Sequence, residues 1–562
     1  MDFEQYKDLF KRIMADDMSL YQNQLDIWQL LIDMRNNLSY ADPEILEYAM
    51  KISRYTHDMA SYVAGMTGSA NAEEVYWRLI LLEAQNRQVD SYLLYLEKNR
   101  DADKRFYAPR KRVFEKFGIT SGLQSLVDDD VDLLTISMPP GTGKSTMGIF
   151  FLAGCMGWWP DMPNLASAHS GILTRSFFDG VNQILSDSFE YTWHEIFPGV
   201  KFDQRSGTNS KEQTINVGSP KRFKSLTCRA INASLTGATR CEKILYADDL
   251  CSGIEEALSR ERMDKLWQTY NTDLKTRKKD MTGGVRCKEI HIQTRWSVHD
   301  VVGRLQREHA KDPRARFIAV PALDENGESN FEYDYGVGFS KEYFEDMKMS
   351  MDDVSFRCLY MNQPIEREGL LYHEDELRRY LTLPDGQPDA VVSLADTKNK
   401  GTDYFVQPVF YKYGDDYYMV DTICSEESDY ETQYERSVQM VIAHGVHALR
   451  VESNNGGSRV AFEINRRLKD QGFYCNITEN YTTKNKETKI IVFAPWVKQH
   501  VYFRDSSLYS PKDDYGVFIT QLLSYTVAGK VLHDDCPDAL AMFAEWQGRP
   551  ESIPTRIVGS LF

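Results

Sequence analysis

One segment fixes the architecture of the first half of this sequence: Ser137-Met138-Pro139-Pro140-Gly141-Thr142-Gly143-Lys144-Ser145-Thr146. The apolar run at 131–136 before it is typical of a short strand, and the apolar residues 147–152 after it indicate the start of a helix. A strand, a glycine-containing turn that ends in Gly-Lys-Ser, and a helix form a phosphate cradle, because backbone N–H groups and the helix N-terminus face the phosphates. The segment therefore predicts a nucleotide-binding site.

The residues of this cradle have separate predicted roles. Lys144 is expected to reach the β- and γ-phosphates of ATP, and the Ser145 hydroxyl to hold Mg²⁺. The other predicted nucleotide contacts are Pro140, Gly141, Thr142, Gly143 and Thr146. Met138 departs from the usual pattern, because it stands where the first glycine belongs. A plain strand–helix turn is the alternative interpretation.

Two further predicted strands end in residues suited to the same site. The run at 244–247 ends in Asp248 and Asp249, and the run at 291–293 ends in Thr294. A P-loop enzyme needs an acid that binds Mg²⁺ and a group that orients the attacking water. Asp248 suits the first role and Asp249 the second, where a glutamate is more usual. We expect Thr294 to sense the γ-phosphate, with a simple strand cap as the alternative.

Other residues near these motifs are further candidates for roles in the nucleotide site. Glu255 and Glu256, just downstream, compete with Asp249 for the role of orienting water. The segment at 105–110, Arg-Phe-Tyr-Ala-Pro-Arg, is suited to stacking on adenine and to hydrogen bonding with it. An aromatic–proline turn fits its composition equally well.

The amino-acid composition limits the classes of protein to which this chain can belong. The 562 residues, 42% hydrophobic and 12% aromatic, suffice for three or four domains of about 150 residues. A net charge of −17 argues against wholesale coating by nucleic acid, although a local basic groove acts over a Debye length of ~8 Å. Nine scattered cysteines without a C-x-x-C pair argue against zinc ribbons and disulfides and indicate a reducing cytosol. The N-terminus lacks signal-peptide features, and the longest apolar run, 147–159, is too short to span a membrane.

We predict an α/β chain in four parts. Residues 1–98 carry apolar residues at helical spacing, with a break at 65–72, and predict an all-α module. Residues 103–330 alternate short strands with helices, which predicts a P-loop domain with a mostly parallel sheet. A connector covers 331–385, and a second strand-rich domain covers 386–562. Predicted strands of that domain include 405–411, 417–422, 449–452 and 492–494.

Acids follow two strands and open a helix in the last domain. Asp396 follows the strand at 391–394, Glu452 ends the strand at 448–451, and the predicted helix at 533–542 begins with several acids. Two carboxylates ~4 Å apart repel by about 4 kcal/mol at an effective dielectric of ~20, so a divalent cation is their natural occupant. Two such cations, ~3.5–4 Å apart, would support phosphodiester cleavage. The helical acids alone fit capping of a helix equally well.

Other residues nearby suit contact with nucleic acid. The turn at 454–457, Asn-Asn-Gly-Gly, would let a DNA backbone approach closely. Lys484, Lys486 and Lys489 form a basic patch suited to phosphate contact, with a solvated loop as the alternative. Oxygen ligands without nearby Cys/His pairs favour Mg²⁺ or Mn²⁺ over zinc.

The order of these motifs resembles that of the large terminase subunits of tailed phages, over about residues 103–545. The motifs that carry the resemblance are Pro-Pro-Gly-Thr-Gly-Lys-Ser at 139–145, Leu-Thr-Gly-Ala at 235–238, Ala-Asp-Asp-Leu at 247–250, Gln-Thr-Arg-Trp at 293–296, Gly-Arg-Leu at 303–305 and Leu-Tyr-Met-Asn-Gln-Pro at 359–364. Such subunits couple ATP hydrolysis to the pumping of a genome into a procapsid. A second, ribonuclease H-like domain cuts concatemeric DNA.

The resemblance implies roles for the acids of the last domain. Asp396 and Glu452 match the first two metal ligands of the ribonuclease H-type motif. Asp535 is favoured as the third because it stands at the helix start, and Asp538 is the runner-up. Asp403 is a weaker auxiliary acid. Mg²⁺ is the expected cation, with Mn²⁺ possible in the nuclease site.

The resemblance also implies partners. It predicts double-stranded DNA, a portal protein, a small terminase subunit and a homo-oligomeric ring, a pentamer by analogy, in the host cell cytoplasm. Many family members carry an arginine in the phosphate loop, but residues 138–143 contain none, so Arg175 and Arg240 are the candidates to replace it. A repair helicase-nuclease is an alternative that lacks a visible second motor core. A nucleotide-binding adaptor without turnover is another.

Overall fold

The structure is a computed structural model of the chain. It describes residues 1–548 except 234–238, 258, 280–285, 352, 365–369, 398–403, 426–428, 454–456, 482–485 and 527–533. The chain divides into two compact units. The first comprises Met1–Phe344 and Arg357–Pro364, and the second comprises Glu345–Phe356 and Ile365–Phe562.

The first unit begins with five helices, as the apolar spacing predicts. They are α1 (Phe3–Met14), α2 (Tyr21–Asn37), α3 (Pro43–Thr67), α4 (Ala70–Gln85) and α5 (Val89–Leu96). The predicted break lies between α3 and α4, where Gly68 takes a left-handed φ of 68° and the Ser69 hydroxyl caps α4. Helices α1 to α4 share an aromatic and aliphatic core, whose fully buried members include Tyr6, Phe10, Ile27, Leu31, Met34, Val75 and Leu79.

A buried acid joins these helices to the next element, α6 (Tyr107–Lys116). The Glu97 carboxylate accepts hydrogen bonds from the backbone N–H groups of Phe106, at 2.8 Å, and Tyr107, also at 2.8 Å. It also pairs with the Arg100 guanidinium at 2.8 Å. Burial raises the pKa of Glu97, and these donors oppose the rise. The carboxylate therefore satisfies the first N–H groups of α6, which would otherwise lack acceptors.

The sheet of the first unit has eight strands in the order β3-β4-β5-β2-β6-β7-β1-β8. Their bounds are β1 (Leu133–Ser137), β2 (Asn164–Ala168), β3 (Thr208–Asn209), β4 (Thr214–Ile215), β5 (Leu226–Ala230), β6 (Ile244–Asp248), β7 (Lys288–Gln293) and β8 (Ala315–Ala319). All pairings are parallel except those of β4 with β3 and β5. β1, β2, β6 and β7 are buried along their whole length, as strands covered on both faces are.

Helices connect these strands. They are α7 (Ile119–Val127), α8 (Lys144–Trp158), α9 (Gly171–Ser186), α10 (Trp193–Ile196), α11 (Gln204–Gly207), α12 (Ile254–Ala257), α13 (Arg260–Thr269) and α14 (Val301–Glu308). The register of the sheet is what positions the predicted motifs. β7 lies between β6 and β1, with Asp248 opposite Ile292 and Ser137 opposite Gln293. The three segments that follow these strands therefore meet at one edge of the sheet.

The second unit contains a seven-stranded mixed sheet in the order β14-β13-β10-β11-β12-β15-β9. Its strands are β9 (Arg378–Tyr380), β10 (Ala390–Ala395), β11 (Phe405–Tyr413), β12 (Asp416–Ser425), β13 (Ala448–Glu452), β14 (Asn476–Asn480) and β15 (Val501–Arg504). β11 runs antiparallel to β10 and β12, and the other pairings are parallel. The remaining helices of the chain are α15 (Lys341–Ser350), α16 (Asp353–Leu359), α17 (Tyr430–His444), α18 (Gly457–Asp470), α19 (Lys486–His500), α20 (Asp514–Ser524) and α21 (Asp535–Gln547).

The prediction of a strand at 492–494 is wrong, because these residues lie within α19. A continuous apolar run looks the same in a buried strand and in a buried helix. Here the run belongs to a helix of 15 residues that packs on α21 and buries Ile490, Ile491, Phe493, Ala494 and Val497. The length of the element, rather than the periodicity of its apolar residues, distinguishes this buried helix from a buried strand.

All nine cysteines are buried free thiols. Among the described residues, no helix combines the length and the apolar character needed to cross a membrane.

Replacing the acid that joins α5 to α6 is expected to loosen both helices. Glu97→Ala leaves two buried N–H groups without their acceptor and removes one of the two carboxylates that Arg100 contacts, which costs about 2 kcal/mol of local stability. Amide hydrogens of α5 and α6 in the full chain should then exchange roughly 30-fold faster by hydrogen–deuterium exchange. Glu190→Ala is the matched control, because Glu190 pairs with the same arginine from a partly exposed position. Equal exchange in the two variants would contradict this role of Glu97.

Candidate nucleotide and nuclease sites

The loop between β1 and α8 has the backbone form of a phosphate cradle. Gly141 and Gly143 take left-handed φ values of 76° and 96°. A Cβ atom at Gly143 would lie 2.5 Å from the Phe106 ring, so this position requires glycine on two counts. Met138 is buried beneath the loop. The loop thus makes its turns at the two later glycines, without a glycine at the first position of the pattern.

Three predicted residues are joined by hydrogen bonds at the edge of the sheet. The Lys144 ammonium donates to the Thr294 hydroxyl at 2.6 Å and lies 3.7 Å from an oxygen of Asp249. The Thr294 backbone N–H donates to the other Asp249 oxygen at 2.6 Å. The structure therefore brings together the phosphate loop, the end of β6 and the end of β7, as the sequence predicts.

Asp248 is a buried acid with unused coordination capacity. Burial is the main cause that raises its pKa to about 7, and the negative charge of Asp249 adds to the rise. The Ser145 hydroxyl and the Lys144 ammonium oppose it. Among the described residues, its oxygen Oδ1 has no hydrogen-bond partner. A carboxylate oxygen of this kind beside a serine hydroxyl fits the oxygen ligands that Mg²⁺ prefers.

Asp249 adopts an unusual backbone conformation for a non-glycine residue, with φ at 37°. Its N–H donates to the Ile292 carbonyl at 3.2 Å, and its own carbonyl bonds to a ring nitrogen of His169 at 2.8 Å. These contacts fix the turn that directs its side chain toward Lys144. Of its two rivals, Glu256 accepts hydrogen bonds from Ser252, and the side chain of Glu255 lies outside the described residues.

The segment after Thr294 is held by an ion pair that sequence reasoning did not identify. The buried Arg295 guanidinium bonds to the Asp300 carboxylate at 2.9 Å. Asp300 also accepts from the backbone N–H groups of Trp296, at 3.1 Å, and Gly303, at 2.7 Å. A Cβ atom at Gly303 would overlap the Val298 carbonyl. Asp300 thus joins the segment after Thr294, which carries the Gln-Thr-Arg-Trp motif, to the start of α14, which carries Gly-Arg-Leu.

Both arginines suggested as a replacement have described partners outside the phosphate loop. Arg175 pairs with Asp179 at 3.1 Å and donates to the Ser210 carbonyl at 2.7 Å. Arg240 pairs with Glu242 at 2.5 Å. Residues 235–238, which carry one of the quoted motifs, lie outside the described residues. The replacement roles of Arg175 and Arg240 remain predictions.

The segment at 105–110 begins a helix rather than an aromatic–proline turn, because Tyr107 is the first residue of α6. Phe106 is buried against Gly143, and the Arg110 guanidinium lies 4.5 Å from its ring centre and 5.0 Å from that of Tyr333. The segment therefore borders the phosphate loop. Its contact with adenine remains a prediction.

In the second unit, the acids at two neighbouring strands converge. β10 and β13 are parallel neighbours with Ala395 opposite Val451, so Asp396 and Glu452 follow at the same end. Asp396 is buried, and burial is the main cause that raises its pKa well above the usual range. The negative charges of Asp538 and Glu452 raise it further. Mutual repulsion of this kind marks carboxylates that share one location.

Asp535 and Asp538, the favoured candidate and the runner-up for the third acid, both lie in the first turn of α21 and differ in their contacts. Asp538 is buried, burial raises its pKa to about 6, and Glu452 contributes to the rise. Asp535 instead accepts a hydrogen bond from the Tyr404 backbone N–H at 3.0 Å. Because α21 begins at Asp535, the acid three residues later lies on the same helical face, one turn deeper. The arrangement therefore favours the runner-up of the sequence prediction.

Two lysines lie among these acids instead of forming a phosphate-binding patch. Lys489 is buried and pairs with Asp538 at 2.6 Å. The Lys486 ammonium lies 2.7 Å from Asp534, 3.2 Å from Asp535 and 3.8 Å from Asp538. In the described part of the chain, no three His, Cys, Asp or Glu side chains stand ready to hold a metal ion. Asp403, Lys484 and residues 454–456 lie outside the described residues.

Removing the buried lysine is expected to destabilise the contact between α19 and α21. Lys489→Met removes the close, buried partner of Asp538 and leaves only the Lys486 ammonium at 3.8 Å, at a cost of about 3 kcal/mol. Amide exchange in both helices of the full chain should accelerate by roughly 100-fold. Adding Asp538→Asn should restore most of the protection, because no buried charge then remains.

Lys498→Met serves as the control, since Lys498 lies in the last turn of α19 and pairs with the partly exposed Glu376. If Lys489→Met and the double variant exchange at the same rate, the pair does not stabilise the contact.

Comparisons with known proteins give one family match and several structural alignments. Residues 395–501 match the family model described as Terminase Bacteriophage T7, Ribonuclease H-like domain. No curated protein sequence matches this one significantly. Among solved structures, the large terminase of a thermophilic bacteriophage in complex with ADP aligns with 78% of this chain and 98% of its own, at 13% identity and a TM-score of 0.42.

Two further structures align more weakly. The HK97 bacteriophage large terminase aligns with 78% of this chain and 92% of its own, at 9% identity and a TM-score of 0.34. The large terminase nuclease from thermophilic phage G20c aligns with 30% of this chain and 94% of its own, at 18% identity and a TM-score of 0.23. The family assignment therefore rests on the sequence match. That match, over residues 395–501, confirms the resemblance to large terminase subunits and assigns this part of the chain to the terminase ribonuclease H-like family.

Proposed function

We propose that this chain is the motor and nuclease subunit of a viral DNA-packaging machine. It couples ATP hydrolysis to the translocation of double-stranded DNA into a procapsid, and it cleaves concatemeric DNA. The observation that carries the proposal is the terminase family match, whose range contains both Asp396 and Glu452. The meeting of Lys144, Asp248 and Thr294 at one sheet edge supports the ATPase half.

In the proposed ATPase site, backbone N–H groups of the phosphate loop and Lys144 bind the phosphates. Ser145 and Asp248 hold the Mg²⁺ that accompanies the nucleotide, and Asp249 orients the attacking water. The bond from Lys144 to Thr294 gives a physical route for coupling. When a phosphate oxygen takes the Lys144 ammonium, Thr294 loses its partner, and the loop braced by Arg295 and Asp300 responds.

In the proposed nuclease site, Asp396, Glu452 and Asp538 hold a divalent cation, with Asp535 at the rim. Their all-oxygen donor set suits Mg²⁺ or Mn²⁺. Such a cation activates water and stabilises the leaving oxygen of a phosphodiester. The burial of Asp396 and Asp538 keeps these carboxylates away from bulk water, so their repulsion favours an occupant of opposite charge.

The proposed partners are those of a packaging motor. They are double-stranded DNA, a portal protein, a small terminase subunit and further copies of this chain in a ring, taken as a pentamer, in the host cytoplasm. A net charge of −17 confines any grip on the DNA backbone to local surfaces. A repair helicase-nuclease is not favoured, because the matched family model is that of terminases.

Removal of the phosphate-loop lysine should abolish only the ATPase. Lys144→Ala is expected to lower the ATP hydrolysis rate at least about 100-fold, because the ammonium that stabilises charge on the transferred phosphoryl group is lost. Metal-dependent DNA cleavage by the same preparation should be retained. Lys211→Ala is the control, since this exposed lysine lies in the same unit, away from the loop. Normal hydrolysis by Lys144→Ala would refute the assignment of the phosphate loop.

Replacement of Asp396, the acid that follows β10, should have the opposite effect: DNA cleavage is lost and the ATPase activity is kept. Asp396→Asn is expected to lower Mg²⁺- or Mn²⁺-dependent cleavage of plasmid DNA at least about 100-fold, because a neutral amide binds the cation weakly. The ATPase rate should stay at the wild-type value. Asp415→Asn, at an exposed turn of the same unit, is the matched control. Undiminished cutting by Asp396→Asn would remove the basis for the nuclease site.

A further inference from the structure

An arginine beside the phosphate loop is held firmly but keeps one donor unused. Arg110 lies in α6, and its Nη1 donates to the Phe106 carbonyl at 2.9 Å. Its guanidinium lies between two rings, with Cζ 4.5 Å from the centre of Phe106 and 5.0 Å from that of Tyr333. Its Nε is buried and has no hydrogen-bond partner among the described residues. The side chain as a whole is only partly buried, so a ligand can approach the guanidinium.

A second unused donor lies at the same place. The Tyr333 hydroxyl, on the ring that faces Arg110, is buried and likewise has no hydrogen-bond partner in the described part of the chain. Burial raises the pKa of Tyr333 to about 12, so the hydroxyl keeps its proton at neutral pH. Buried donors without an acceptor are rare in proteins, because each has lost its bonds to water. Two of them side by side therefore indicate a binding site for an acceptor group.

These donors adjoin the part of the phosphate loop that begins α8. The Arg110 Nε lies 3.5 Å from the position that a Cβ atom on Gly143 would take. Gly143 is the N-cap of α8, and a helix N-terminus attracts phosphate. The Lys144 side chain extends instead to Thr294 and Asp249. Arg110 is thus a second cation at the loop, and it comes from a different element.

An anion suits these donors better than a neutral base does. Burial lowers the pKa of Arg110, but an arginine keeps its charge in proteins, so the group is a poorly compensated cation. The Glu97 carboxylate acts on it only through its charge, because Glu97 bonds to backbone N–H groups and to Arg100. A hydrogen bond from a guanidinium to a phosphate oxygen is about twice as strong as one between neutral groups. The loop itself, residues 138–143, contains no arginine.

We propose that the Arg110 guanidinium and the Tyr333 hydroxyl bind the phosphate chain of the nucleotide beside Gly143, rather than the adenine that the sequence predicts for the segment at 105–110. The inference rests on the proposed ATPase function and deepens it. Arg110 donates through Nε, and the hydroxyl donates beside it. The Phe106 ring and the bond from Nη1 hold the guanidinium in place. A residue of α6 therefore supplies the arginine that the loop lacks, from within the same chain.

The test compares two probes by titration calorimetry of the full chain: ATP with Mg²⁺, and inorganic tripolyphosphate, which has no base. Arg110→Ala is expected to weaken the binding of both probes about 30-fold, because each loses a charged hydrogen bond. Tyr333→Phe should weaken both about 10-fold, since it removes one hydroxyl donor. Arg112→Ala and Tyr335→Phe, at exposed positions, are the matched controls and should bind as the wild type does.

Chemical rescue distinguishes direct contact with phosphate from mere support of the loop. Guanidinium chloride at a non-denaturing concentration should restore most of the affinity of Arg110→Ala for tripolyphosphate. The free ion can occupy the space between the Phe106 and Tyr333 rings, because aromatic faces attract cations. Sodium chloride at the same concentration should not restore the affinity. A failure of guanidinium to do better than sodium would overturn the proposal.

The remaining outcomes are also decisive. If a folded Arg110→Ala variant binds both probes as the wild type does, Arg110 has no role in binding. If only ATP binding is weakened and tripolyphosphate binding is unchanged, Arg110 contacts the base, and the phosphate assignment is wrong. If the wild type binds neither probe, the proposed ATPase function fails together with the inference. If circular dichroism shows that Arg110→Ala does not fold, Tyr333→Phe decides, and unchanged tripolyphosphate binding by that variant overturns the proposal.

Discussion

Both candidate sites depend on buried carboxylates, which lie at the ends of parallel strands and, in the second unit, also in the first turn of α21. Such groups are costly, because burial removes the water that stabilises their charge and neighbouring acids add repulsion. Asp248 and Asp538 show the cost as pKa values raised to about 7 and about 6. In each site a lysine at the first residue of a helix supplies the compensating charge, Lys144 in α8 and Lys486 in α19. The helix starts and the strand ends therefore stabilise one another.

The two lysines are used differently because their surroundings differ. Lys144 is buried and bonds to a neutral hydroxyl, so a phosphate oxygen offers it a stronger, charge-assisted partner. Lys486 already lies among ionised carboxylates and has little to gain from a further anion. The first arrangement suits a residue that changes partners during a cycle. The second suits a residue that stays in place.

The sequence predicts the parts of these sites that are local. The phosphate loop, the ends of β6 and β7, and the strand acids Asp396 and Glu452 are each recognisable within a few residues, and the register of parallel strands then brings them together. The rest depends on packing between distant segments. The direction of Lys489 follows from α19 lying on α21, whereas the apolar run within α19 predicts a strand when it is taken alone. The difference between Asp535 and Asp538, which lie on one face of α21, depends on their contacts with Tyr404 and Lys489, and a pattern of neighbouring acids does not reveal these contacts.

The raised pKa values also bear on how each site acquires its cation. A cation binds the deprotonated carboxylate, so its affinity falls as pH decreases through the pKa of the acid that holds it. With the pKa of Asp248 near 7, part of its population is protonated at neutral pH, and metal binding must release that proton. The same binding relieves the repulsion between Asp248 and Asp249. Repulsion between these carboxylates destabilises the protein without a cation, and a bound cation removes it. The repulsion therefore favours binding of the cation.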